Sequence, residues 1–409
     1  MSTRFLWLGW RQVWVCFVAL STSGMIASTY SLIAVPLMAE YQTSRAVLML
    51  AMTVLSGTCA VLSPFLGSLM DRFSLRWLLL LGSLSIGIGY ASLSLTTAFY
   101  QVLIIFGVFI APANVLLGPL LASVLLSRWF EQQRGRAIGF AIAGISVGVF
   151  CFPIIIQALL EAYSWRPAVQ YLGLILTLWS VTTAVLVIDR PQLKGLWPDG
   201  AVSQSERAAE NNTNGKNIRW FTLLSMPAFW AIVGTVAVVT AGMKGTLTNL
   251  APMVMDAGVS AAQAAQLISI YAACSFMAKL SFAALADRIG PHRLMAFSIL
   301  GFAVALMLLI QAKMGFGVIV SGVALMGLAG GLMLPMEAYL APKVFGAQVA
   351  GRAMGVLTGV ILVVMLCTPP LFGFIFDITG SYQGIFWFFI VAAILALTLI
   401  PAIKLPANP

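Results

Sequence analysis

Twelve stretches of this 409-residue chain each run about twenty residues or more with hardly a charge: near residues 13–35, 46–69, 77–96, 99–126, 136–160 and 168–188, then near 222–250, 261–285, 293–312, 315–340, 350–375 and 382–403. That pattern leaves few folds open. About 20 apolar residues in a helix cross a bilayer core of roughly 30 Å, and only a helix or a closed barrel satisfies its backbone polar groups there. A barrel needs short alternating strands, and the sequence carries no such alternation. With 61% hydrophobic and 8% charged residues, far from the roughly one-quarter charged of soluble domains, the chain is expected to be an all-α membrane protein of twelve transmembrane helices. The first stretch lacks a small-residue cleavage site and is too long for a signal sequence, so it is expected to be retained.

The formal charge of +10 points to topology rather than to nucleic acid. With twelve crossings, the termini and the even-numbered connections share one side, and 17 of the 22 basic residues fall there. Only Arg45, Arg166 and Lys313 fall on the opposite side, and Lys244 and Lys279 lie inside spans. Basic residues stay on the cytoplasmic side, so both termini are expected in the cytoplasm of a plasma membrane; short loops suggest a bacterial inner membrane. The five cysteines all sit in apolar spans without metal-ligand spacing. One histidine, His292, lies in a turn. No cofactor or metal is expected, and a monomer is.

The chain repeats itself. An offset of 216 relates Asp71 to Asp287, Arg72 to Arg288, Pro36 to Pro252, Pro119 to Pro335, Pro153 to Pro369 and Glu161 to Asp377. The same offset carries Gly135-Arg136-Ala137 onto Gly351-Arg352-Ala353. A constant shift across prolines, glycines and rare charges predicts two pseudo-symmetric six-helix bundles, residues 1–188 and 219–409, joined by a polar linker at 189–218. Parallel repeats of this kind are a transporter architecture, with substrate held near the midplane between the halves. The duplicated Asp-Arg pairs fall in tight turns after the second and eighth spans. There Asp71, Arg72, Arg76, Asp287 and Arg288 are expected to latch one end of the molecule, the carboxylates meeting helix termini or an arginine of a neighbouring turn such as Arg136.

The stretch GSLMDRFSLR, Gly67–Arg76, resembles the loop motif between the second and third spans of the major facilitator superfamily. RWFEQQRGRAIGFAIAGISVGVFCFP, Arg128–Pro153, is similar to the fifth-span motif of its monocarboxylate porter group, which oxalate/formate-type antiporters share. The resemblance implies the major facilitator fold. In that group the eighth span ends in a pattern like A-R-x-S-x-G-x-x-A whose basic residue carries substrate and proton coupling; Lys279 of Ala278–Ala286 stands at that place. Ser275 stands where relatives carry an acid. The first-span neighbourhood, Ala27-Ser28-Thr29-Tyr30, has no lysine.

A lysine at the centre of a span costs about 2.5–3.5 kcal/mol on insertion scales, so it should face protein or a watery cleft. Lys279 lies roughly 12 Å along the helix from Asp287. Lys244 lies toward the outer half of the seventh span, and the 216 offset maps it onto Ser28. We therefore expect Lys244 to supply the outer cation. Cations with few acids nearby attract a carboxylate. A buried amine loses its charge readily and a bound carboxylate restores it, so anion and proton binding favour one another. Tyr30 and Asn114 are expected to line the cleft, with Ser28, Gln157, Asn249 and Tyr271 as further candidates; helix-to-helix hydrogen bonds satisfy such groups equally well. No nucleophile elbow, zinc motif or nucleotide loop is present, so an enzyme or a primary pump is not expected. The expected function is secondary transport of small organic anions, foremost monocarboxylates, by alternating access with proton symport. Exchange of oxalate-like dianions, carriage of a larger carboxylate such as an aromatic acid or siderophore, and a non-transporting receptor or scaffold are the alternatives.

Overall fold

The computed structural model describes residues 3–43, 45–198, 220–256, 258–259, 261–311 and 315–403. Among them the chain is helical apart from turns. In the first half, α1 (Thr3–Tyr41), α2 (Arg45–Arg72) and α3 (Leu75–Leu93) are followed by a broken fourth span: α4 (Phe99–Ile105), a π turn (Phe106–Ile110), α5 (Ala111–Leu116) and α6 (Pro119–Trp129). Helices α7 (Arg134–Ala162) and α8 (Trp165–Leu186) complete this half. The second half opens with a short α9 (Trp220–Leu224), then α10 (Pro227–Asp256), α11 (Ala261–Ile289) and α12 (Pro291–Ile310). A broken tenth span, α13 (Phe316–Gly331) and α14 (Met333–Phe345), leads to α15 (Ala350–Thr379) and α16 (Gln383–Leu397). Among the described residues, nine of these spans are long and apolar enough to cross a membrane. The helices α1, α11 and α16 bring the spans to twelve. Most of the expected linker, 199–218, lies outside the described residues.

Local chemistry sets the breaks. Gly118 precedes Pro119, which opens α6 with a ring already held at a helical φ. A Cβ on Gly118 would meet the Asn114 carbonyl, so the chain turns there only with glycine. The stretch Ala286–Arg293 is helix, then Gly290 at φ 87°, then Pro291 at the first turn of α12. Gly380 closes α15 in the left-handed region at φ 66°. The long first span runs from Thr3 to Tyr41, well past the apolar stretch 13–35 at both ends. Its extra turns are held by Gln12, whose side-chain oxygen accepts from the Ile188 N–H at 2.9 Å. At the other end Tyr41 donates to the Thr96 carbonyl at 3.0 Å.

Small residues let helices touch where side chains would hold them apart. Within the first half, Cβ atoms on Gly144 and Gly148 would strike the Phe17 and Ser21 carbonyls, so α7 lies against the backbone of α1. Between the halves the same device joins α2 to α15: a Cβ on Gly67 would meet the Gly351 carbonyl, and one on Gly355 the Ser63 carbonyl.

Candidate functional site

The two halves meet along α2 with α15 and along α7 with α11, and α6 reaches across to α14 and α15. All these contacts gather toward the end that carries the Asp-Arg turns, called here the basic end. Ala137, Ile138, Ala141, Ile142 and Ala143 of α7 are buried there, whereas Phe150, Cys151, Ile154 and Gln157 further along are exposed. On α15, Ala353, Met354 and Leu357 are buried, and Val363, Val364 and Cys367 are exposed. The described close contacts between the halves thus lie at the basic end. Across the closure the Ser123 hydroxyl of α6 donates to the Ala338 carbonyl of α14 at 3.0 Å.

Asp71 holds the closure. Its two carboxylate oxygens accept from the backbone N–H groups of Gly351 and Arg352, each at 2.8 Å. Those N–H groups belong to the first turn of α15, where no carbonyl of the helix can reach them and the helix dipole favours an anion. One carboxylate of the first half thus caps a 30-residue helix of the second. The arginines whose charge bears on Asp71 are Arg128 and Arg352, and Arg128 also donates to the Met70 carbonyl at 2.8 Å. Arg136 lies over the Trp10 ring, 5.5 Å from its centroid. Arg72, Arg76 and Arg288 are exposed, and among the described residues the Asp71 contacts are made to backbone N–H groups, not to these side chains. The Asp287 side chain lies outside the described residues.

Lys279 sits on α11 where it faces α7. The side chain is buried, and its Nζ donates to the Ser146 hydroxyl of the other half at 2.9 Å. No carboxylate faces it among the described residues. Lys244 on α10 is exposed, as is Thr248 one turn on, and its Nζ has no ion pair among the described residues. The flanking Gly242 and Gly245 give their backbone to Phe302, Phe389 and Phe372 of the second half, which turns Lys244 away from that core. Glu337 of α14 is buried and accepts from the Thr358 hydroxyl of α15 at 2.6 Å.

Two residues expected to line the cleft make contacts with neighbouring helices in this structure. Tyr30 is buried, its ring edge-on to Phe106 of the π turn at 5.1 Å. Asn114 accepts from the Ser23 hydroxyl at 2.6 Å and donates to the Cys59 sulfur at 3.5 Å, which ties α5 to α1 and α2. Asn249 donates to the Gly245 carbonyl of its own helix at 2.9 Å, Tyr271 to the Met243 sulfur at 2.9 Å, and Gln157 to Glu161 at 2.9 Å. A polar group in a span takes whichever partner is near, and here the neighbouring helices supply it. Ser146 and Thr358 escaped the sequence reading, since a hydroxyl within an apolar run carries no mark of its distant partner.

Two six-helix halves, joined at one end by a carboxylate on a helix terminus, have the architecture of a membrane transporter. The Major Facilitator Superfamily model matches residues 15–266 and 233–409, and the chain belongs to that superfamily, whose members are transporters and not enzymes. It is 24% identical over 403 residues to Monocarboxylate transporter 12-B of Danio rerio, covering 93% of this chain and 83% of that protein. It is 25% identical over 333 residues to an MFS-type transporter of Aspergillus fumigatus, covering 79% and 74%. Among solved structures, the proton:xylose symporter XylE superposes with a TM-score of 0.75 at 14% identity, over 98% of this chain and 96% of that one. The human organic anion transporter MFSD10 gives 0.70 at 14% identity, over 96% and 99%. At that identity the structures establish the fold.

Proposed function

We propose that this protein carries small organic anions, monocarboxylates foremost, by alternating access together with a proton. The basic end is taken as cytoplasmic, on the positive-inside distribution of arginine and lysine, and the membrane as a bacterial plasma membrane. The observation that carries the reading is Lys279: a buried amine that spans the two halves through Ser146. Its only described partner is a neutral hydroxyl. An ammonium held that way has donors to spare for a carboxylate, and a carboxylate pairs with it far better than a hydroxyl does. Lys244, exposed further out on α10, supplies a second positive charge on the way in. Similarity to a protein named monocarboxylate transporter supports the same substrate class. An anion arriving with a proton crosses without net charge, which gives symport a driving force from a proton gradient. Two cations also suit a dianion, so exchange of dicarboxylates is the competing reading.

The test is uptake of a radiolabelled panel of mono- and dicarboxylates into proteoliposomes, with and without an inward proton gradient. Gradient-stimulated uptake of a monocarboxylate is expected. Lys279→Gln, which keeps a donor for Ser146 but removes the charge, should weaken apparent affinity about tenfold to a hundredfold, the value of a charge-assisted hydrogen bond. Lys244→Ala should raise KM with a smaller effect on the maximal rate. Uptake indifferent to Lys279→Gln, or transport of neutral solutes alone, overturns the assignment. Dicarboxylate counterflow without response to the gradient favours exchange.

A further inference from the structure

A groove of about 1170 Å³ runs between α2 and α15, the two helices that touch where Gly67 meets Gly351. It is walled by apolar side chains, among them Val61, Phe65, Val360 and Val363, with Leu224 of α9 closing one side. Val61, Phe65 and Val363 are more than half exposed, which is unremarkable against lipid and costly against water. The polarity is confined to one end. Arg72 and Arg352 both line the groove there, at the basic end. Arg72 is exposed and has no ion pair among the described residues.

These features fit one kind of occupant. From Gly57 to Arg72 the groove follows α2 for fifteen residues, about 22 Å at the rise of an α-helix. Half of a bilayer, counting its interfacial layer, is also roughly 20–22 Å. One end offers the exposed guanidinium of Arg72, with the largely buried Arg352 beside it, and a guanidinium is the group best suited to hold a phosphate. The rest offers hydrocarbon. We propose that the groove is a binding site for one anionic phospholipid of the leaflet at the basic end, its phosphate at Arg72 and Arg352 and one acyl chain lying between α2 and α15. Basic pockets between transmembrane helices recognise headgroups in this way.

The site has a consequence for the transport cycle. Its walls belong to different halves, and its charged end adjoins the Asp71 cap on α15. A lipid that touches both walls binds the arrangement in which the basic end is closed and loses one wall when the halves part there. By linkage it favours the closed basic end. This holds for any transported solute.

Native mass spectrometry of the full chain, released from nanodiscs of equal phosphatidylglycerol and phosphatidylcholine, tests the proposal. The wild type is expected to retain phosphatidylglycerol in preference to phosphatidylcholine. Arg72→Gln should cut that retention about tenfold or more, the effect of losing a hydrogen bond to a charged group. Val363→Trp, which fills the groove and leaves both arginines, should cut it as well. Both positions are exposed, so neither change removes core packing. Equal retention of the two lipids, or wild-type phosphatidylglycerol retention in either variant, overturns the proposal. A dimer that Val363→Trp dissolves would give the groove to a second copy of the chain and overturn it too.

Discussion

Replacing Asp71 by Asn perturbs the closure with the least change in shape. The carboxylate accepts two hydrogen bonds, each at 2.8 Å, from Gly351 and Arg352. Asn keeps one acceptor oxygen and turns a donor toward the other N–H, so one bond is lost and the negative charge at the helix terminus with it. A hydrogen bond to a charged group contributes about 1.5–3 kcal/mol net, and the charge–dipole interaction about 0.3–1 kcal/mol more. Each 1.4 kcal/mol or so is tenfold, so the ratio of basic-end-closed to basic-end-open molecules should fall by roughly 20- to several-hundred-fold. When the basic ends part, the opposite ends approach. Spin labels on Glu161, at the end of α7, and Thr379, at the end of α15, report that distance by double electron–electron resonance in a cysteine-free background. Both residues are exposed. The distribution for Asp71→Asn should move to shorter distances than that of the parent. An unchanged distribution would mean that the cap does not set the balance between the two arrangements, and the latch would have to be sought elsewhere.

Two further outcomes follow from the packing. Gly67→Val drives a side chain onto the Gly351 carbonyl, so the helices α2 and α15 must separate; the same spin-label pair should show the short distance, and a parent-like distribution would refute the backbone contact. Thr358→Val takes from the buried Glu337 its hydroxyl donor at 2.6 Å. That change should lower stability by about 1–3 kcal/mol, read as a drop in Tm in detergent, while Thr358→Ser restores it; equal melting of all three would show that the hydroxyl does not serve the acid.

The order of helices was legible because lipid imposes a crude rule, about twenty apolar residues per crossing, that needs no knowledge of neighbours. The doubling was legible for a similar reason. Asp71 and Asp287 or Pro119 and Pro335 stand at one offset, and rare residues in an apolar chain are easy to align. Lys279 stood out through its cost in a span. What each polar group touches was another matter. Asp71 finds its partners 280 and 281 residues away, and Lys279 finds Ser146 at a separation of 133. Asn114 and Tyr30 looked as suited to a solute as to a neighbouring helix, and their contacts with Ser23 and Phe106 could be found only from the packing.

The amino-acid order by itself determined that this chain crosses a membrane twelve times in two matching halves, because burial of backbone in hydrocarbon is a local demand met one helix at a time. The tertiary structure alone decided which end is shut, what shuts it, and which of the two lysines is enclosed. Those depend on how the halves rest against each other, a balance of a few contacts between residues far apart in the chain.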